Sequence, residues 1–280
     1  MRVYGRVAAG QPRRMISPAL LDVVCDLAAA RDAPDRPPLI GISGPQGSGK
    51  TTLARAAAER LGGVAFSLDD VYLTRAERAG MARAVHPLFA VRGPPGTHDL
   101  DLADRTVAAL RMAGSETETP LPAFDKLADE RRPTTDWPIF RGRPRAILIE
   151  GWCLGATRQT PEVLVQPVNA LEREDDPDAV WRSAADKALA GRYQAFFGGF
   201  DAIIMLAAPS FDTVLDWRSE QEAGLLGVAP DALPEARRVA LARFIQHFER
   251  ITRHMLAGGV TADRIIQIGP AREMLALLPD

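Results

Sequence analysis

The residues with the most evident chemistry in this 280-residue chain are consecutive: Gly44-Pro45-Gln46-Gly47-Ser48-Gly49-Lys50-Thr51. Glycine at positions 44, 47 and 49 lets a loop curl until its backbone N–H groups converge on one point, which suits a concentrated negative charge. A short apolar run, LIGIS at 39–43, precedes the loop, and Leu53, Ala57 and Leu61 follow it at helical spacing. The complete pattern G-x-x-x-x-G-K-[ST] between a strand and a helix fits a nucleoside triphosphate. The loop amides and the positive end of the following helix, through Thr52, would hold the phosphates. Lys50 would reach the β- and γ-phosphates and the Thr51 hydroxyl would ligate Mg²⁺, so ATP and Mg²⁺ are the expected cofactors.

Two further sets of carboxylates stand where strands end. Asp69 and Asp70 follow an apolar run at 64–68, and Glu150 closes RAILIE at 145–150. A phosphoryl-transfer site needs a group to take the proton of the acceptor hydroxyl and hard oxygen ligands for the cation. Asp69 is assigned as the general base, and Thr51, Asp69 and Glu150 as the metal set. The alternative for the two aspartates is a helix cap or a solvated turn.

These residues need a scaffold that brings strand ends together. Apolar runs at 39–43, 64–68, 145–150, 202–208 and 264–268 read as strands. Helical spacing is seen at 18–31, 51–61, 101–112, 177–197, 211–225 and 234–257, with a closing helix at 271–278 and an irregular stretch at 163–176. The alternation implies an α/β fold: a nucleotide-binding parallel sheet of about five strands with helices on both faces. Ligands bind at the carboxyl ends of such strands. The chain divides into a helical arm at 1–37, an acceptor-site insertion at 72–144, and a lid with a long helix at 210–258, all within one domain.

Composition narrows the partners. Apolar residues make up 46% and the formal net charge is −2, so no basic field points to nucleic acid or an anionic membrane. No apolar run is long enough to span a bilayer. The segment MRVYGRVAAGQPRR has no apolar core behind its basic residues, and the two cysteines form no CxxC. The expectation is a cytoplasmic protein without a signal segment, zinc site or disulfide framework. Lysine occurs only at 50, 126 and 187, so arginine supplies 31 of the 34 basic residues. Where arginine is so freely used, a retained lysine points to a need for a compact ammonium.

The run from the phosphate loop through SLDDVYLT (67–74) resembles the phosphoribulokinase, uridine kinase and pantothenate kinase superfamily. Within it, VRGPPGTHDLD (91–101), LPAFDKLADERRP (121–133) and ILIEGWCLG (147–155) are most similar to D-glycerate 3-kinases and their bacterial relatives. VLDWRSEQE (214–222) resembles the lid segment. The resemblance covers roughly 38–270 and implies transfer of the γ-phosphoryl group to a hydroxyl of a small carboxylate metabolite. It places Asp69 as the activating carboxylate and Arg218 as the lid arginine. Asp70, Tyr72, Arg92, His98, Asp99, Asp125 and Lys126 fall around the acceptor. The family's Tyr-Asp-Lys-Ser stretch reads Phe124-Asp125-Lys126-Leu127 here.

Physical alternatives accompany these residues. His98 and Asp99 could bind a hydroxyl or cap the next helix. Arg92, Lys126, Arg131 and Arg132 could meet a carboxylate, or the last two could lie on a solvated loop. Arg218 could neutralise the transferring phosphoryl group or pair with Glu222. His247, Arg250 and His254 share one side of a helix and read as the border of its apolar face, and Trp152 and Cys153 read as packing. Pantothenate, a nucleoside or a sugar phosphate are alternative acceptors. A GTPase switch would be expected to carry N-K-x-D, which the sequence lacks, and no feature points to a motor ATPase.

Lys50→Ala is expected to weaken ATP binding and lower turnover together, the latter by about 10²-fold if the ammonium stabilises developing phosphoryl charge. Equilibrium nucleotide binding and steady-state kinetics check this; no change in either would remove the loop from the nucleotide site.

Overall fold

The computed structural model describes residues 17–33 and 36–278. The reading of the first fourteen residues as no signal segment, and much of the proposed arm, lie outside the described residues. Helix α1 (Pro18–Ala30) leads to β1 (Leu39–Ser43), α2 (Lys50–Leu61) and β2 (Val64–Ser67). An insertion follows with α3 (Arg75–Ala84), α4 (Leu100–Met112) and four short strands. These are β3 (Glu118–Pro120), β4 (Phe124–Asp125), β5 (Glu130–Arg131) and β6 (Ile139–Arg141). After β7 (Ile147–Gly151) come α5 (Pro161–Val165), α6 (Ala170–Asp175), α7 (Val180–Ala188), a π-turn at Leu189–Tyr193 and α8 (Gln194–Phe197). The chain continues through β8 (Ala202–Ala207), α9 (Phe211–Leu226), α10 (Glu235–Leu256), β9 (Arg264–Ile268) and β10 (Met274–Leu278).

The main sheet has six strands in the order β10-β9-β8-β1-β7-β2. The last five are parallel and β10 runs antiparallel to β9. β1 and β7 are buried along their whole length, so they read as unbroken apolar runs instead of alternating ones. One face of the sheet packs against α4, α8 and α10 through residues such as Val107, Phe196 and Phe248. The other packs against α1, α2 and α9 through Val24, Leu53 and Val214. Helix α1 is part of that second core layer.

Three local assignments differ from expectation. The expected closing helix at 271–278 is a turn followed by the edge strand β10 at Met274–Leu278. Methionine, leucine and alanine favour helix, but the turn at 269–272 reverses the chain and pairing with β9 overrides that weak preference. The stretch expected to be irregular at 163–176 holds the end of α5 and all of α6; the latter is capped by Asn169, whose side chain accepts from the Glu172 N–H. The helical run at 177–197 is interrupted by the π-turn.

Buried charges brace this second half. Glu172 takes two hydrogen bonds from Arg250, and Asp176 pairs with Arg182, all four residues being almost fully buried. Arg250 also donates to the carbonyls of Val163 and Gln166, closing α5–α6 onto α10. His247 and Phe248 share the same helix; His247 is buried and His254 lies within hydrogen-bond distance of the Thr157 hydroxyl. Arg250, Glu172, Pro94 and Pro95 line one small cavity, which sets the 93–99 loop on this braced layer.

Candidate active site

Parallel register fixes the site. Glu150 of β7 stands opposite Ile42 of β1 on one side and Ser67 of β2 on the other. The phosphate loop leaves β1 one residue later, and Asp69 follows β2 by two residues, so all three groups emerge at one sheet edge.

The loop has the left-handed glycine conformations that its sequence implies, with φ of 79° at Gly47 and 90° at Gly49. At Gly47 the need is also steric, because a Cβ would lie 2.5 Å from Cβ of Trp217. Lys50 donates to the Pro45 carbonyl at 3.2 Å and lies 4.0 Å from Glu150. The buried hydroxyl of Ser48 and the side-chain oxygen of Gln46 have no protein partner among the described residues. A buried polar group without a partner is costly, and a phosphate oxygen would satisfy the Ser48 hydroxyl.

Thr51 Oγ1 donates to Glu150 Oε1 at 2.8 Å, which brings two hard oxygen donors together beside the loop. Among the described residues no group of three or more His, Cys, Asp or Glu could hold a metal by itself. That pairing fits Mg²⁺, which takes one or two protein oxygens and fills its octahedron with phosphate and water. Asp69, the third expected ligand, has both oxygens engaged otherwise: Tyr72 donates to Oδ1 at 2.7 Å and Lys126 to Oδ2 at 2.7 Å.

Asp69 therefore sits in a cationic setting. Burial opposes its ionisation, but Lys126, the Tyr72 hydroxyl and Lys50 outweigh burial and hold its carboxyl well below the usual range. Lys126 is raised in turn, chiefly by the charge of Asp69. Burial pushes Asp70 up to about 6. Its carboxylate accepts from the Ser67 N–H and forms a capping box with the Ser67 hydroxyl, so Asp70 has a structural task at the turn that presents Asp69.

The insertion builds the other wall. Tyr72 is buried, its ring centroid 4.7 Å from that of His98 and 5.3 Å from that of Phe124. His98 is buried, its Nδ1 lies 2.6 Å from the Tyr193 hydroxyl, and burial lowers its pKa to about 4, so the ring is neutral. Asp99 caps α4 by accepting from Leu102 and also pairs with Arg131 at 3.2 Å. Arg131 donates to the Tyr72 carbonyl and is not on a solvated loop. Asp125 accepts from the amides of Leu127 and Ala128, shaping the turn that carries Lys126. Arg132 is half exposed and 3.8 Å from Asp125. Arg92 is held by Asp129 and the Lys126 carbonyl.

Arg218 extends from α9. It donates to Gln221, lies 4.0 Å from Glu222, and its Nε is buried without a partner among the described residues. Burial lowers its pKa, while the charges of Glu222 and Asp69 act to raise it and that of Arg92 to lower it. Of the two expected partners, Glu222 on its own helix is the one within ion-pair distance. Trp152 donates to the Gly93 carbonyl and so supports the 93–99 loop, and Cys153 is fully buried in the core.

Two residues escape a sequence reading. Tyr193 accepts from the Gly96 N–H while lying against His98, and it reaches them from a π-turn that spacing does not reveal. Arg272 donates to the Gly47 carbonyl from a turn expected to be helix.

A parallel sheet with this loop and a Thr–Glu pair at its carboxyl edge, beside a carboxylate–lysine pair, defines a P-loop nucleotide-binding phosphotransferase. No family model matches the chain. It is 33% identical over 207 residues to the uncharacterized kinase mug58 of Schizosaccharomyces pombe, covering 68% of this chain and 72% of that one. It is 32% identical over 209 residues to the chloroplastic D-glycerate 3-kinase of Arabidopsis thaliana, covering 70% of this chain but 43% of the plant protein. The solved D-glycerate 3-kinase of Cryptococcus neoformans superposes with a TM-score of 0.73 at 19% identity, over 94% of this chain and 99% of that one, and so shares the fold. The chain belongs to the family of P-loop kinases represented by the fission yeast protein, close to D-glycerate 3-kinase. Among the described residues no helix is long and apolar enough to cross a membrane.

Tyr193→Phe removes the hydroxyl that holds Gly96 and His98 while keeping the ring. Loss of about one hydrogen bond's net value predicts a roughly fivefold rise in KM for the acceptor with KM for ATP unchanged. Steady-state kinetics with each substrate varied checks the split; equal changes in both constants would contradict a role confined to the acceptor wall.

Proposed function

We propose that the chain transfers the γ-phosphoryl group of ATP to a hydroxyl of a small carboxylate metabolite, with D-glycerate the foremost candidate. The observation that carries this is the 2.7 Å pair between Lys126 and Asp69 beside the phosphate loop. A base and a cation sit side by side, which is the complement of a molecule with a hydroxyl next to a carboxylate. The D-glycerate 3-kinase name of the plant relative supports the same acceptor.

In this reading the loop amides, the Ser48 hydroxyl and Lys50 bind the triphosphate and fix its terminal phosphorus. Thr51 and Glu150 would hold Mg²⁺, which when bound neutralises charge on the β- and γ-phosphates. The acceptor's carboxylate takes over the Lys126 ammonium, whose side chain is 58% exposed and so reachable from solvent. Asp69 Oδ2 is then free to accept the proton of the acceptor hydroxyl. The oxygen bonds to the γ-phosphorus as the bond from that phosphorus to the β–γ bridging oxygen breaks, and ADP leaves with the electron pair. Tyr72 keeps Asp69 oriented through Oδ1, His98, itself held by Tyr193, packs on Tyr72, and Arg218 offers positive charge from the α9 side.

Asp69→Asn is expected to lower turnover by about 10²–10⁴-fold with ATP affinity nearly unchanged, as for loss of a general base. The assay is ATP consumption with D-glycerate, pantothenate, a nucleoside or a sugar phosphate as acceptor, with the product phosphate located by ³¹P NMR. Phosphorylation of D-glycerate by the unaltered protein supports the reading. Turnover confined to another acceptor, or retained by the Asn variant, contradicts it.

A further inference from the structure

Arg272 lies in the reverse turn between β9 and β10 and is held at φ 68°, a left-handed conformation that is uncommon for a residue with a side chain. A strained residue persists where its surroundings over-determine it. Here its own N–H donates to the Gly269 carbonyl at 2.8 Å, and Gly269 N–H donates to the Glu273 carbonyl at 2.8 Å, so the turn is closed on itself.

The guanidinium then makes three contacts with the nucleotide end of the molecule. Nε donates to the Gly47 carbonyl, in the middle of the phosphate loop. Nη2 pairs with Glu220 of α9 at 3.0 Å. The planar group lies 4.9 Å from the centroid of the Trp217 ring. Trp217 is itself locked: it is 1% exposed, its indole N–H donates to the Pro270 carbonyl at 2.8 Å, and its Cβ occupies the space that a side chain on residue 47 would need. One arginine therefore joins three segments distant in sequence: the phosphate loop, α9 and the β9–β10 turn. Arg218, adjacent to Trp217 in sequence, is carried on the part of α9 that this joint fixes.

We propose that Arg272 is a positioning residue that sets the register of the phosphate loop against α9, so that the loop amides and Arg218 meet the triphosphate as one pre-formed unit. Lysine cannot substitute, because one planar fork donates to a carbonyl, pairs with a carboxylate and stacks on an indole at the same time. Because this joint fixes α9 as far as Glu220, any closure of the helix over the site would start beyond that residue. The proposal rests on the reading of 44–51 as the ATP site.

The test uses the full-length protein with Arg272→Met, which keeps an apolar stem over Trp217, and Arg272→Lys. The expected result is a rise of roughly tenfold in KM for ATP in both variants, in keeping with loss of a hydrogen bond and an ion pair, with KM for the acceptor unchanged. Amide exchange of residues 44–49 in the nucleotide-free protein should quicken in parallel. If Arg272→Met does not fold, Glu220→Gln, which removes one of the three contacts, should raise KM for ATP in the same direction. Lower thermal stability with KM for ATP and loop exchange both unchanged would overturn the proposal, as would full rescue by lysine. Failure of the unaltered protein to bind ATP would instead strike the ATP-site reading on which the proposal rests.

Discussion

The alignment of three parallel strands is the constraint from which the site follows. Glu150 faces Ile42 and Ser67 across two ladders, so the phosphate loop, the Thr51–Glu150 pair and Asp69 must leave the sheet at one edge. A one-residue slip in either pairing would turn side chains to the opposite face of the sheet and separate these groups. Register is firm here because β1 and β7 are buried on both faces, where a shifted strand would have to repack completely.

Around this edge the molecule concentrates charge and then satisfies it in pairs. Asp69 is balanced by Lys126, Lys50 approaches Glu150, and Arg131 joins Asp99 to the Tyr72 carbonyl. Such pairing keeps a polar cleft tolerable before substrates arrive, since an unpaired charge in a partly buried site is expensive. In the proposed reading each substrate would enter by exchanging partners: phosphate for the loop's own contacts, and an acceptor carboxylate for the Asp69 end of Lys126. The braced layer behind the 93–99 loop, with Glu172–Arg250 at its centre, gives that exchange a firm backing.

Much of this was legible in the sequence because chemistry and local spacing coincide. The phosphate loop had eight positions and two flanking elements in agreement, and Glu150 and Asp69 stood at strand ends. Five parallel strands were visible as apolar runs. The misses have separate physical causes. Met274–Leu278 has helical composition, and only the turn at 269–272 and pairing with β9 make it a strand. Tyr193 is aimed by a π-turn, which leaves no periodic mark. Asp99 and Asp125 are not among these misses: beside the acceptor role that the motif implies, their oxygens serve a helix cap and a tight turn. Arg272 gave no signal because its partners at 47, 217 and 220 are remote in sequence.

The most direct measurement is a crystal structure with a non-hydrolysable ATP analogue, Mg²⁺ and D-glycerate bound together. The triphosphate is expected inside the curl of 44–51, the metal on Thr51 and Glu150, and an acceptor hydroxyl between Asp69 and the γ-phosphorus with Lys126 turned to the carboxylate. A triphosphate bound away from that loop, or Asp69 still closed on Lys126 with the hydroxyl elsewhere, would contradict it.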